Sequence, residues 1–320
     1  MPLTLLQIVQ AAQGELGLPQ SSTVIGNTDP TTVQMYNLTN RVLDQLRRMN
    51  RWTALQFEYD LVVNPPIQTT GNLTVNSPVI TNIPSTTGIL ANYYTVGGNG
   101  IPQAARVLSV DSATQVTMTM EYTGTEPAVG MDLTFAQDTY PMPTGFDFFN
   151  NRTMWDRTNR WELLGPDSPQ LDQWHRSGIV ATGPRRHFRK IGPYADQFRI
   201  WPQPVEITSP LQLVFEFLSL NAVMVHGSQS SFAQYFQNDD DQPLLDDQAI
   251  TMGLKWMFWQ VKGFNYGDMK NDWIDYVKQL RARDGAAPTL TLTKRVHPIF
   301  ISPANVQDGF FPGPVGPNQA

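Results

Sequence analysis

Cysteine is absent from this chain of 320 residues, which excludes disulfides, thiolate metal sites and cysteine nucleophiles and leaves the redox compartment unreadable. Charge is sparse: Asp, Glu, Lys and Arg make up 16% of the residues, against about 25% in an ordinary soluble domain. Long apolar runs are missing too. No window reaches the roughly 18 to 20 uninterrupted apolar residues needed to cross a bilayer, so no membrane association is expected. The opening MPLTLLQIVQAAQGEL has no basic n-region and no small-residue cleavage site, and Gln7 and Gln10 interrupt its apolar residues. An export signal is therefore not expected. The net charge of −6 argues against a free-standing nucleic-acid-binding protein, which would carry a basic footprint.

Catalytic signatures are missing as well. There is no Gly-x-Ser-x-Gly elbow and no His-Glu-x-x-His helix. His175, His187, His226 and His297 are scattered, with no spacing that sets two on one helix face around a metal, so each is read as structural. Gly97-Gly98-Asn99-Gly100 lacks the Gly-Lys-Ser/Thr that completes a phosphate cradle and is read as a turn. The run Asp239, Asp240, Asp241 has the oxygen chemistry of a magnesium or calcium site. Its place near a helix start favours the simpler account, anions at the positive end of a helix dipole. No acid–base pair can be chosen without geometry. The expectation is a non-enzymatic protein with no catalytic residue, no cofactor and no metal site.

What is present is apolar and turn-rich: 41% hydrophobic residues, 11% aromatics, 25 prolines and 23 glycines. Low charge with this apolar content suits a protein that covers part of its surface with other subunits. Charge is also unevenly spread. Residues 52 to 151 hold one basic residue, Arg106, against eight carboxylates, whereas 152 to 199 hold nine Lys/Arg against five carboxylates. The two stretches are expected to face different neighbours.

Periodicity divides the chain into five parts. Residues 1–56 are read as the N-terminal helical part of a body. One helix runs from about Leu5 to Leu16, with Thr4 and Gln7 at capping-box spacing. A second starts at Asp29-Pro30 and runs to about Asn50, with Met35, Leu38, Val42, Leu46 and Met49 on one stripe. Arg47, Arg48 and Arg51 crowd its end, where cations suit the dipole. Residues 57–136 read as an inserted β-rich module of short Val/Thr/Ile/Tyr runs broken by Asn, Gly and Pro. Residues 137–237 read as a β-rich or irregular aromatic part, and 238–285 as a C-terminal helical hairpin turning at Gly263 to Gly267. Residues 286–320 are read as an extended Pro/Gly-rich arm. The expected fold class is α+β: a helical body built from N- and C-terminal helices, with an inserted β-rich module and an extended C-terminal arm.

Two segments stand out as interaction candidates. Arg185, Arg186, Arg189 and Lys190 form the strongest basic patch. As a strand it would send Arg185, His187 and Arg189 to one face and Arg186, Phe188 and Lys190 to the other. Repeated around a ring, such cations could touch passing phosphates without reading bases, or pair with carboxylates of the adjacent subunit. In the arm, Ile299, Phe300, Ile301, Phe310 and Phe311 are costly to leave in water. A segment with six prolines and three glycines cannot build its own core, so docking on a partner is expected.

Several stretches resemble a known family. LLQIVQAAQGELGLP, STVIGNTDPTT and the helix ending LRRMNRWTALQFE are similar to the N-terminal region of head-to-tail adaptor (head completion or connector) proteins of short-tailed bacteriophages. The likeness continues in FFNNRTMWDRTNRWELLGPDSPQLDQWHRSGIVATGPRRHFRKIG, in FRIWPQP and in the paired helices ending VKQLRARDG. The stretch from Ser77 to Thr119 resembles a small β-module inserted in many phage structural proteins. The resemblance implies a virion protein of the phage neck, made in the host bacterial cytoplasm. It implies twelve copies in a ring, the portal protein above, tail or nozzle components below, and packaged DNA passing through the channel. The competing reading is a capsid decoration or tail-fibre adhesin protein, with Tyr93, Tyr94 and Tyr122 lining a receptor-binding face.

Overall fold

A computed structural model describes residues 2–102, 105–176, 186–193, 196–203 and 209–285. The chain divides into two compact units. Among the described residues, the first contains the segments up to Glu58, Thr144–Phe149 and from Glu216 on, and the second Tyr59–Pro143 and Asn150–Phe215.

In the first unit, α1 (Leu5–Glu15) begins with the capping box: Thr4 Oγ1 accepts from Gln7 N, and Gln7 Oε1 accepts from Thr4 N. Helix α2 (Pro30–Met49) starts with proline in its first turn, and the Asp29 carboxylate accepts from Thr32 N at 2.9 Å. Later in the chain come α4 (Asp247–Lys262), ended by Gly263 at φ 76°, and α5 (Gly267–Asp284). One apolar cluster joins them: Leu5, Ile8, Met35, Val42, Ile250, Leu254, Trp256 and Trp273 are all buried within it. Gly253 permits the approach of α2, since a Cβ there would lie 2.5 Å from Val42 Cγ1. The Trp256 and Trp273 rings sit 5.5 Å apart, and Trp273 Nε1 donates to the Ala249 carbonyl at 2.8 Å. This satisfies the polar atom that so large a buried side chain brings inside.

The second unit is built on a six-stranded antiparallel sheet, ordered β4 (Tyr94–Gly97), β7 (Ala128–Gln137), β2 (Ile67–Leu73), β3 (Val79–Thr81), β6 (Gln115–Met118) and β5 (Val107–Ser112). Val107, Val116, Leu133 and Phe135 fill one face of it. Gly71 in β2 lies where a Cβ would come within 2.7 Å of both Ile80 and Leu133, so only glycine lets this face close. A three-stranded sheet, β12 (His187–Ile191), β13 (Gln197–Trp201) and β8 (Thr139–Pro141), belongs to the same unit, as does the short helix α3 (Pro169–Arg176). The chain passes between units within β14 (Leu211–Ser219), whose Val214 pairs with Trp155 in the second unit and whose Phe217 pairs with Phe149 in the first.

The expected architecture is corrected by this arrangement. The described residues hold seventeen strands in four antiparallel sheets and only five helices, with helix and strand each at 30%. The protein is thus β-rich, not a helical body with a small β insertion. The difference arises between 137 and 243, where seven of the strands are two to four residues long, too short to show a period of two. The expected arm, 286–320, lies outside the described residues. No helix among the described residues is long and apolar enough to cross a membrane.

Candidate functional site

The basic segment folds as β12, antiparallel to β13, with Arg189 directly opposite Arg199 and Phe188 opposite Ile200. Phe188, Phe198 and Ile200 point into the core. His187 and Arg189 share the other face with α3. That helix begins at Pro169, and Oγ of the preceding Ser168 accepts from Leu171 N at 3.2 Å. Serine before proline is a helix-start signal that the aromatic texture of the region obscured.

Placing α3 beside β12 puts carboxylates against the cations. Arg189 donates to the buried Asp172 carboxylate at 2.8 Å. Arg106 of the six-stranded sheet makes two bonds of 2.7 Å, one to each carboxylate oxygen of Asp138, which is 1% exposed. Arg199 lies 3.7 Å from the same carboxylate. Burial first, and then the neighbouring Arg106 charge, hold the Arg199 guanidinium below its ordinary value, with Asp138 opposing. Arg176 at the end of α3 sits over the Trp201 ring at 5.7 Å. Of the basic residues singled out in the sequence, Arg189 therefore has its counter-ion in its own chain. Arg186 lies beside Leu164, whose N–H its carbonyl accepts, and Lys190 is half-buried in β12. Arg185 lies outside the described residues, as do Ile299, Phe300, Ile301, Phe310 and Phe311.

Two histidines that looked unrelated in sequence meet here. The His175 ring on α3 and the His187 ring on β12 have centroids 4.1 Å apart. Asp167 faces both: its Oδ2 is 3.4 Å from His187 Nδ1 and 4.0 Å from His175 Nε2. Their ligand-capable atoms all fall within 4.8 Å of one another. Burial pulls the His187 imidazole below its usual value, the Asp167 carboxylate opposes this, and His175 adds to the depression. The twelve-residue separation of the histidines left no sequence signal, because the contact depends on how α3 packs on the sheet.

The aspartate run has a different role from either sequence reading. Helix α4 begins at Asp247, so Asp239 to Asp241 lie before its first turn. Asp239 accepts from Val24 N and Ile25 N, and Asp241, 0% exposed, accepts from Gln237 N, Asn238 N and His226 N. The carbonyls of Asp239 and Asp241 accept from Leu6 N and Leu5 N at the start of α1. Asp240 pairs with His226 Nδ1 at 2.8 Å, and Asp247 accepts from Leu3 N. The acidic run is a set of staples that fastens the N-terminal segment to α4.

A cavity of about 240 Å³ in the first unit is lined by Leu46, Trp52, Leu245, Ala249 and Leu280, with Asp246, Arg283 and Asp284 also in its wall. Asp246 caps α4 and Asp284 accepts from Thr53 N, so both carboxylates are committed to backbone amides. Tyr94 and Tyr122, expected to line a receptor-binding face, are 8% and 6% exposed inside the β-sheet core, and Tyr93 OH accepts from Gln197. No protein-family model matches the chain, and no curated protein matches it.

Proposed function

We propose that the chain is a structural head-to-tail adaptor of a short-tailed phage, arranged as a ring of twelve copies below the portal protein. It extends the DNA channel and offers the attachment site for tail or nozzle components. The observation that carries the reading is the folding together of the adaptor-like segments from opposite ends of the chain: α1 and α2 pack on α4, and α4 on α5. Exposed apolar side chains add support. Val261 and Phe264, at the end of α4 and just beyond it, are 51% and 60% exposed, and Trp174 on α3 is 49% exposed. In an assembled ring these side chains would be covered by neighbouring copies.

The committed carboxylates and cations fit a part that does no chemistry. With Arg189 neutralised by Asp172 and a chain charge of −6, a duplex passes the ring without being gripped. The Ile299–Ile301 and Phe310–Phe311 clusters of the arm are assigned to docking on the portal or a neighbouring copy. The decoration or adhesin alternative loses its proposed aromatic face, since Tyr94 and Tyr122 are buried.

Infection without a functional copy of this gene tests the reading. An adaptor role gives DNA-filled heads that lack tails and leak their genome. Complete tailed particles with altered adsorption or shell stability would instead support the decoration or adhesin role.

A further inference from the structure

We propose that Asp167, His175 and His187 form a binding site for a divalent ion of the zinc class. Two imidazoles and one carboxylate are the donor set that zinc, and its spectroscopic substitute cobalt, prefer over magnesium or calcium, which take all-oxygen shells. The geometry is close to what such an ion needs. Bonds of about 2.0 to 2.1 Å in a tetrahedron set donor atoms roughly 3.3 Å apart. The Asp167 Oδ2 to His187 Nδ1 separation is 3.4 Å, Oδ2 to His175 Nε2 is 4.0 Å, and all three donors lie within 4.8 Å of one another, so the side chains need only draw together around the ion.

His187 Nδ1 provides an independent observation. It is buried and makes no hydrogen bond, although the Asp167 carboxylate faces it. A buried ring nitrogen whose 3.4 Å contact with Asp167 falls short of good hydrogen-bond geometry is poorly satisfied, and a metal ion between the two satisfies both. The donors come from three places in the chain: the loop before α3, α3 itself and the first residue of β12. An ion held by all three clamps α3 to the sheet. Three protein ligands leave one coordination position for water, and both rings keep some exposure, 12% for His175 and 20% for His187. This inference stands apart from the adaptor assignment.

The full chain, stripped with a chelator and dialysed, is titrated with zinc chloride by calorimetry and with cobalt(II) by visible absorption. One equivalent of zinc should bind, cobalt should give the intense visible bands of a tetrahedral site, and zinc should raise the melting temperature. His175→Gln and His187→Gln should each weaken zinc binding by more than about 100-fold, since even outer-shell changes cost 10- to 100-fold. His226→Gln, at the other His/Asp cluster, should leave it unchanged. If His187→Gln does not fold, the cobalt spectrum of His175→Gln against that of the unmodified chain decides. Absence of saturable binding, an octahedral cobalt spectrum, or binding that survives His175→Gln and disappears in His226→Gln overturns the proposal.

Discussion

Arg106 and Asp138 form a bidentate pair, two hydrogen bonds of 2.7 Å with the carboxylate 1% exposed, and Thr139 Oγ1 accepts a further bond from the same guanidinium. Arg106 is the only basic residue between positions 52 and 151, and its partner begins the turn into β8. One cation, immediately before β5, therefore ties that end of the sheet to the link between β7 and β8. Removing one member of a buried pair leaves the other charge without compensation, at a cost of about 3 to 5 kcal/mol. Asp138→Ala should lose that much stability in urea unfolding, and combining it with Arg106→Met should recover a substantial part.

Gly253 governs the distance between α2 and α4. Alanine is intrinsically the better helix residue by about 1 kcal/mol, yet its Cβ would lie 2.5 Å from Val42 Cγ1 and 3.1 Å from Trp273 Nε1. Overpacking should dominate, and Gly253→Ala should destabilise by about 1 to 3 kcal/mol. Pairing it with Val42→Ala should restore stability, measured as the denaturation midpoint.

Asp241 sets an acid limit. Burial acts to raise its carboxyl, but the N–H groups of His226, Gln237 and Asn238 outweigh this and hold it below the ordinary carboxylate value. Because the folded value lies below the unfolded one, ionised Asp241 adds stability above about pH 3.9, and this is lost as pH falls through the folded value. Asp241→Asn should lower the melting temperature at pH 7 and flatten its decline between about pH 5 and 2. Parallel melting curves for the two proteins across that range would contradict the assignment.

The long elements were legible because their signals were local. The Thr4/Gln7 box, the Asp29-Pro30 start and the stripe from Met35 to Leu46 each depend on residues within a few positions, and the observed helices Leu5–Glu15 and Pro30–Met49 differ from the expected bounds by a residue. The β texture read over 57–136 likewise holds strands β2 to β6 of the six-stranded sheet. Strand Ile67–Leu73 carries a weaker signal, because Thr69 and Gly71 interrupt the face that Ile67 and Leu73 would mark, and that glycine is what close packing requires. The candidate site was illegible for another reason. Asp167, His175 and His187 converge only through tertiary packing, as do Arg106 and Asp138, and the aspartate run serves amides some 215 residues away.

If the proposed arm docks on a partner, removing it should affect assembly and not folding. A chain ending at Gly285 keeps α1, α2, α4 and α5 and every described residue of their shared apolar cluster. It should show an unchanged helical circular-dichroism signal and melting temperature, yet fail to restore stable, DNA-retaining particles when supplied in place of the full chain. Normal yields of infectious particles would show that the arm docks nowhere essential.

The adaptor assignment is tested most directly by electron cryomicroscopy of the particles that carry this chain. The account predicts a ring of twelve copies on the channel axis, between the portal and the tail, with each copy accommodating the two units described above. Density for the chain on the capsid faces or at fibre tips, with none on the channel axis, would contradict it.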